Sequence, residues 1–243
     1  MRFLPRILSP LLSRLLDAEE EKRIVDDYLE RVRSVGDSEG ELSAHFYAAW
    51  LARLRGDAER AGARARRAAA MSEEARNKAY AGLCHAEVGL SQLAQQSWGE
   101  AAESFALAQE HPVFRTSALA GRGLAEYRLG RRELGLELSA RSLVDLARRG
   151  WMSLCDAHVY LNRARLLISD DPRGHHDEIV ESIHLLVGYA ESSGSAAEAP
   201  LADLARAELA EALGDEPGRA SALAAARAGF RAAGATAWLE RLS

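Results

Sequence analysis

Three side chains that can bind metal ions are spaced so that one helix would carry them on a single face. Asp177, Glu181 and His184 lie at positions i, i+4 and i+7, and carboxylates with an imidazole can hold a divalent cation. The same segment begins at residues 174–178, Gly-His-His-Asp-Glu, and acidic residues are favoured in the first turn of a helix. We therefore predict a helix start with solvent-exposed histidines and no metal site.

Two clusters of arginines are candidate anion-binding surfaces. The clusters are Arg64, Arg66 and Arg67, and Arg128, Arg131 and Arg132. Each could bind an acidic partner, a phosphate or RNA, but neither is interleaved with the aromatic residues that stack on bases. Because Glu59, Glu133 and Glu137 lie nearby to balance the charge, we predict solvated helix faces at both places.

Motifs that bind phosphate, nucleotides or zinc, or that supply a serine nucleophile, do not occur in the sequence. It has no GxxxxGK(S/T) loop, no GxGxxG fingerprint, no GxSxG elbow, no HExxH and no paired-cysteine spacing. No complete set of catalytic residues can be assembled from what remains. We predict no catalytic residue, no cofactor and no metal, and a protein that is not an enzyme.

The composition is that of a helical globular protein. Hydrophobic residues make up 48% and charged residues 28% of the 243 residues, and the abundant Ala, Leu, Arg and Glu favour helices. The formal net charge of -5 gives no support for nucleic-acid binding. Lysine occurs only at positions 22 and 78, and this preference for arginine indicates a bacterial genome rich in G and C.

The two cysteines indicate the compartment. Cys84 and Cys155 both fall within predicted helices among apolar residues, which predicts buried free thiols instead of a disulfide. Such thiols suit a reducing cytoplasm. No apolar stretch approaches the ~20 residues that a membrane-spanning helix needs.

Residues 1–16 form a basic, leucine-rich segment without an acidic residue. Pro5 and Pro10 interrupt its apolar run and no cleavage site follows, so a secretory signal is not expected. One hypothesis is an interfacial anchor that places the protein peripherally at the inner membrane. The favoured alternative is a short helix that caps the first helices of the fold.

Apolar residues recur at helical spacing along most of the remaining chain, and short polar or glycine-containing breaks separate them. The breaks with the clearest signals are Gly36, Gly56-Asp57, Gly130-Arg131, Gly214-Asp215 and the loop 169–174. Between 72 and 95 no break is evident, and this predicts one long helix. Ser97 and Glu100 have the spacing of a capping box. Residues 192–200 predict a flexible connection, and Trp238, Leu239 and Leu242 a short terminal helix.

The run Gly99-Glu-Ala-Ala-Glu-Ser-Phe-Ala-Leu-Ala-Gln-Glu-His-Pro112 resembles the second helix of a tetratricopeptide repeat. Ala101 and Ala108 are the small positions, Phe105 the large one and Pro112 the stop. From Ala101 to Gly135 the distance is 34 residues, which equals the family period. The resemblance covers roughly residues 40–232 and is best around 85–145. Its first-helix half keeps only an outline, in Leu119, Gly123 and Tyr127.

The resemblance implies an all-α fold, a right-handed superhelical solenoid of antiparallel helix pairs with N-terminal and C-terminal capping helices. It divides the chain into residues 1–36, an amphipathic segment and capping helix, and residues 37–243, the repeat domain. The final pair, at 205–215 and 224–235, is similar to the repeat tails of bacterial multidomain signalling regulators.

In this family the first helix of each pair lines a concave groove, and the resemblance implies that the groove binds a partner. Counting from the turn residues places these partner-binding positions at Phe46, Trp50, Arg53, Leu90, Leu124, Tyr127 and Arg128. For Trp50 and Tyr127 the alternative is a core position between adjacent helices. An apolar peptide or an amphipathic helix would suit such a groove.

We therefore expect a non-enzymatic scaffold or adaptor, in bacterial signalling or complex assembly, whose partner is another protein. The alternative is a membrane-associated assembly factor anchored by residues 1–16. A homodimer through Trp238 and Leu239 is also open, because exposed terminal helices of such arrays often pair.

Overall fold

A computed structural model describes residues 18–150 and 155–243. Within these residues every regular element is an α-helix, and no strand occurs. The helices are α1 (Ala18–Ser34), α2 (Ser38–Arg55), α3 (Ala58–Glu74), α4 (Lys78–Ala94), α5 (Trp98–Ala108), α6 (Arg115–Arg128), α7 (Arg132–Arg149), α8 (Ala157–Asp170), α9 (His176–Ser193), α10 (Pro200–Leu213), α11 (Glu216–Ala233) and α12 (Thr236–Arg241). The all-α prediction is confirmed for this part of the chain.

Consecutive helices pack against each other, and the even-numbered helices make a second set of contacts. Helix α2 contacts α4, α4 contacts α6, α6 contacts α8, and α8 contacts α10. We call these five helices the inner row, and α3, α5, α7, α9 and α11 the outer row. The short α12 contacts α2, so the last helix meets the first helix of the inner row. This packing is compatible with a helical repeat solenoid.

Most turns between helices share one backbone feature. A residue with positive φ ends the helix, and the positions 36, 56, 76 and 96 follow one another at 20-residue intervals, as do 194, 214 and 234. Glycine adopts this left-handed conformation without strain. In four turns the next residue caps the following helix, its side chain accepting from a backbone N–H three residues on: Asp37, Asp57, Asn77 and Asp215.

Two expectations about helix boundaries are corrected by the structure. The predicted long helix over 72–95 is wrong, because α3 ends at Glu74 and α4 starts at Lys78. Arg76 takes the left-handed position there (φ 54°), so the turn forms without glycine. Ser97 is the N-cap of α5, but its side chain makes no capping hydrogen bond. The inner row starts at residues 38, 78, 115, 157 and 200, a repeat of roughly 40 residues and longer than the 34 of the family.

The core is close-packed where small residues let helices approach. Phe105 of α5 is fully buried, and its ring lies against the backbone of Gly89 and Gly121 on α4 and α6. A Cβ added at Gly89 would lie 2.8 Å from that ring, so only glycine leaves room for it. One aromatic side chain thereby joins an outer helix to two inner ones.

The predicted amphipathic segment 1–16 lies outside the described residues. The apolar spacing also predicts a helix from Trp151 to Ile168, and its start lies outside them as well. The sequence predicts a flexible connection over residues 192–200, but Ser195, Ala197 and Glu198 are buried there. Among the described helices, none combines the length and the apolar character that crossing a bilayer requires.

Candidate functional site

A cavity of about 310 Å³ lies between the inner row and α12. Residues of all five inner helices and of α12 line it. Its apolar wall includes Leu54, Leu90, Leu93, Leu124, Leu161 and Leu201. A cavity enclosed by helices that are far apart in the chain can exist only once the whole row has assembled.

The exposed end of the cavity, which we call the mouth, carries two tryptophan–arginine pairs. The guanidinium of Arg128 lies over the Trp98 ring, 5.7 Å from its centroid, and that of Arg241 lies over Trp238 at 4.8 Å. Arg241 Nη2 also donates to the backbone carbonyl of Ala94, at 3.3 Å. Stacking on an aromatic face holds a guanidinium flat and leaves its in-plane N–H groups pointing outward.

The buried end of the cavity, the floor, is polar. Arg53 Nε donates to Glu87 Oε2 at 2.8 Å, and Arg53 Nη1 lies 2.5 Å from His158 Nε2 and 3.8 Å from Glu198 Oε1. Asn162 lines the floor beside His158. Among the described residues, Arg53 Nη2 and Asn162 Nδ2 have no hydrogen-bond partner although both are shielded from solvent.

The protonation states of the floor follow from its burial. Desolvation, together with the nearby charges of Arg53 and Arg165, holds the pKa of His158 well below its usual value. The imidazole is therefore neutral, and its Nε2 accepts the hydrogen bond that Arg53 donates. Burial raises the pKa of Glu198 to about 6, and the charge of Arg53 limits this rise.

A second ion pair crosses the wall between α8 and α10. Arg165 donates two hydrogen bonds to Glu208 from one edge of its guanidinium, with Nε–Oε2 at 2.9 Å and Nη2–Oε1 at 2.6 Å. Such two-point geometry fixes both side chains. The wall at this place is consequently rigid and charge-neutral.

The predicted partner-binding residues separate into two groups. Arg53, Leu90, Leu124 and Arg128 line the cavity, so counting from the turns brought these four to one place. Whether they bind a partner stays a prediction.

The other three predicted positions do not line the cavity. Phe46 and Trp50 are 1% exposed within the core, and Tyr127 donates its hydroxyl to the carbonyl of Ser169 at 3.0 Å. These residues join neighbouring helices, which is the alternative that the sequence left open for Trp50 and Tyr127.

The other candidate sites are located on the surface. Asp177, Glu181 and His184 are exposed on α9, and within the described residues no group of His, Cys, Asp and Glu side chains is arranged to hold a metal ion. Arg131 and Arg132 pair with Glu126 and Asp170.

Further predicted residues have internal partners. Arg64 lies within 3.9 Å of Asp26. Cys84 and Cys155 are buried free thiols, as predicted. Trp238, expected as a self-association contact, stacks on Phe230 of its own chain with ring centroids 5.1 Å apart.

Apart from Arg53, the floor residues were missed by the sequence reasoning, although a local signal existed. Glu87 interrupts the apolar stripe of α4, between Leu83 and Leu90 at helical spacing. On α8, His158, Asn162 and Arg165 lie at i, i+4 and i+7 among apolar residues, so they share one face. A polar residue on an otherwise apolar stripe indicates a buried polar contact.

The chain matches no protein-family model, no curated protein and no solved structure.

Proposed function

We propose that this protein is a non-enzymatic adaptor that binds a segment of a partner protein in the cavity between the inner row and α12. The observation that supports the proposal is the cavity itself, whose wall is apolar and whose mouth is polar. Apolar walls with a few placed polar groups are typical of ligand sites. The proposal includes the right-handed superhelical arrangement that the tetratricopeptide-like pattern implies, and a role in bacterial signalling or assembly.

The size of the cavity restricts what it can take. At about 310 Å³ it lies at the small end of ligand sites. It can hold a few side chains of an extended peptide but not the full face of a helix. Affinity would come from burying those side chains against a wall that is already formed, because a preorganised surface loses little entropy on binding.

In the experiment, peptides that bind the full chain are selected from a random peptide library. The affinity of each selected peptide is then measured by fluorescence anisotropy. Ile168 is partly buried on the cavity wall, whereas Val180 of α9 is 47% exposed on the outside. Ile168→Glu and Val180→Glu therefore make the same chemical change in two places. The proposal predicts at least a tenfold loss of affinity for Ile168→Glu and none for Val180→Glu.

Two outcomes contradict the proposal. Either the library yields no peptide that binds specifically, or the selected peptides bind both variants equally well. Circular dichroism of each variant checks that its helix content is unchanged, so that a loss of binding is not a loss of fold.

The membrane hypothesis concerns residues 1–16, which lie outside the described residues, and it stays a prediction. Co-sedimentation with anionic lipid vesicles, comparing the full chain with a version that starts at Asp17, tests it. Equal partitioning of the two proteins would exclude an anchor in this segment.

A further inference from the structure

The two arginines at the cavity mouth differ from the other arginines of the cavity in the partners that they contact. Arg53 pairs with Glu87, and Arg165 pairs with Glu208. In residues 18–150 and 155–243, Arg128 and Arg241 form no ion pair. Their only described partners are tryptophan rings and, for Arg241, the carbonyl of Ala94.

Within the described residues, no carboxylate therefore pairs with either arginine of the mouth. Burial and, as the smaller cause, the positive charge of Arg165 lower the pKa of Arg241.

Both arginines are also preorganised. A guanidinium stacked on a tryptophan loses little further rotamer freedom when a carboxylate binds to its in-plane N–H groups. Just inside them lies the apolar wall of Leu54, Leu90 and Leu124. The mouth thus offers two cationic donors beside a pocket for an apolar side chain.

We propose that the partner segment carries an acidic side chain next to an apolar one, and that its carboxylate is bound by Arg128 and Arg241 while the apolar residue enters the cavity. This inference rests on the proposed function and specifies the chemistry of its partner. The proposed acid is the side chain of a Glu or Asp within the segment and not the carboxylate of a chain end.

A purely structural role would also explain the position of both arginines, and the experiment must distinguish it from a role in binding. Each is the last residue of its helix, where a cation is favoured by the helix dipole. A purely structural role would alter thermal stability and leave binding unchanged. Binding and melting temperature are therefore measured on the same variants.

The experiment uses a selected peptide that contains an acidic residue and is blocked at both ends, which removes its terminal charges. Arg128→Gln/Arg241→Gln is compared with Arg141→Gln/Arg148→Gln, an equal change of charge at two exposed arginines of α7. We expect the mouth variant to lose at least tenfold in affinity, since hydrogen bonds to charged groups are strong, and the control to bind like the wild type. Replacing the peptide's Glu by Gln should cause a comparable loss in the wild-type protein.

A charge exchange gives the second readout. Arg128→Glu/Arg241→Glu should lose the acidic peptide and gain the peptide in which Glu is replaced by Lys. Raising NaCl from 50 to 500 mM should weaken the wild-type complex and have little effect on the mouth variant.

The outcomes keep the two proposals apart. If cavity-dependent peptides are selected but carry no acid, or bind Arg128→Gln/Arg241→Gln as tightly as the wild type, only the acidic-partner inference is overturned. Equal losses in the mouth variant and the α7 control would attribute the effect to net charge and would also overturn it. If no peptide depends on Ile168, the proposed function fails and takes this inference with it.

Discussion

Replacing Gly56 by alanine tests the contact between α12 and the inner row. Gly56 ends α2 with φ 91°, and a Cβ at this position would lie 2.8 Å from both the Trp238 ring and the Trp238 backbone nitrogen. Gly130 has nearly the same backbone (φ 83°) but open space around its Cα. Gly130→Ala is therefore a matched control, since it introduces the same backbone strain without the clash.

The energetic costs of the backbone strain and of the clash with Trp238 can be added. Placing an L-residue in the left-handed region costs about 1–2 kcal/mol in both variants. Gly56→Ala should cost a further 1–3 kcal/mol, roughly, because a contact with backbone cannot be relieved by rotating a side chain. The extra loss is limited by what α12 contributes, since α12 can detach from Gly56 while the rest stays folded.

Urea unfolding followed by circular dichroism measures the loss of stability, and hydrogen exchange with mass spectrometry of residues 234–243 measures whether α12 is released. We expect Gly56→Ala to be the less stable variant and to exchange faster in this segment alone. Equal destabilisation of the two variants, with α12 equally protected, would refute the contact and with it the assignment of Trp238 and Arg241 to the mouth.

Three more outcomes are expected. Because burial raises the pKa of Glu198 from 4.5 to about 6, the stability of the folded state falls as pH rises through this interval. Urea titrations from pH 4.5 to 7.5 should show the wild type losing up to about 2 kcal/mol relative to Glu198→Gln; parallel curves would contradict this. Gly121→Ala should destabilise by about 1–3 kcal/mol by pressing on Phe105, and Phe105→Leu in the same chain should reduce that loss in a double-mutant cycle. Burial raises the pKa of Cys84 to about 12 and that of Cys155 well above its usual value, so iodoacetamide at pH 8 should label both only in urea, and rapid labelling of the native protein would disagree.

Several turns were predictable because glycine occupies the left-handed position. Gly36, Gly56 and Gly214 each ended a predicted helix where the structure ends one. Arg76 and Gln96 adopt the same conformation without the signal, and the break at Arg76 was missed for this reason. The next residue, Asn77, caps α4 with its side chain. This capping residue, 20 positions after Asp57, was the remaining sequence signal for a helix start.

The cavity was predictable only in part, because its two ends depend on different kinds of information. Counting along each helix from its turn located Leu90, Leu124 and Arg128 on the cavity side. The same count put Trp50 there too, but packing between α2 and its neighbours buries it. The floor could not be assembled from local pattern, since Arg53 meets His158 across 105 residues of chain.

The contact of α12 with α2 also affects how the protein responds to force. An open row of paired helices stretches like a spring, each helix pair tilting slightly against the next. In this chain Trp238 of α12 packs against Gly56 at the end of α2, which joins the last helix to the first helix of the inner row. The row can therefore lengthen elastically only after this contact has broken. Pulled between residues 18 and 243 in an optical trap, the molecule should stay stiff up to a first rip and become compliant only afterwards.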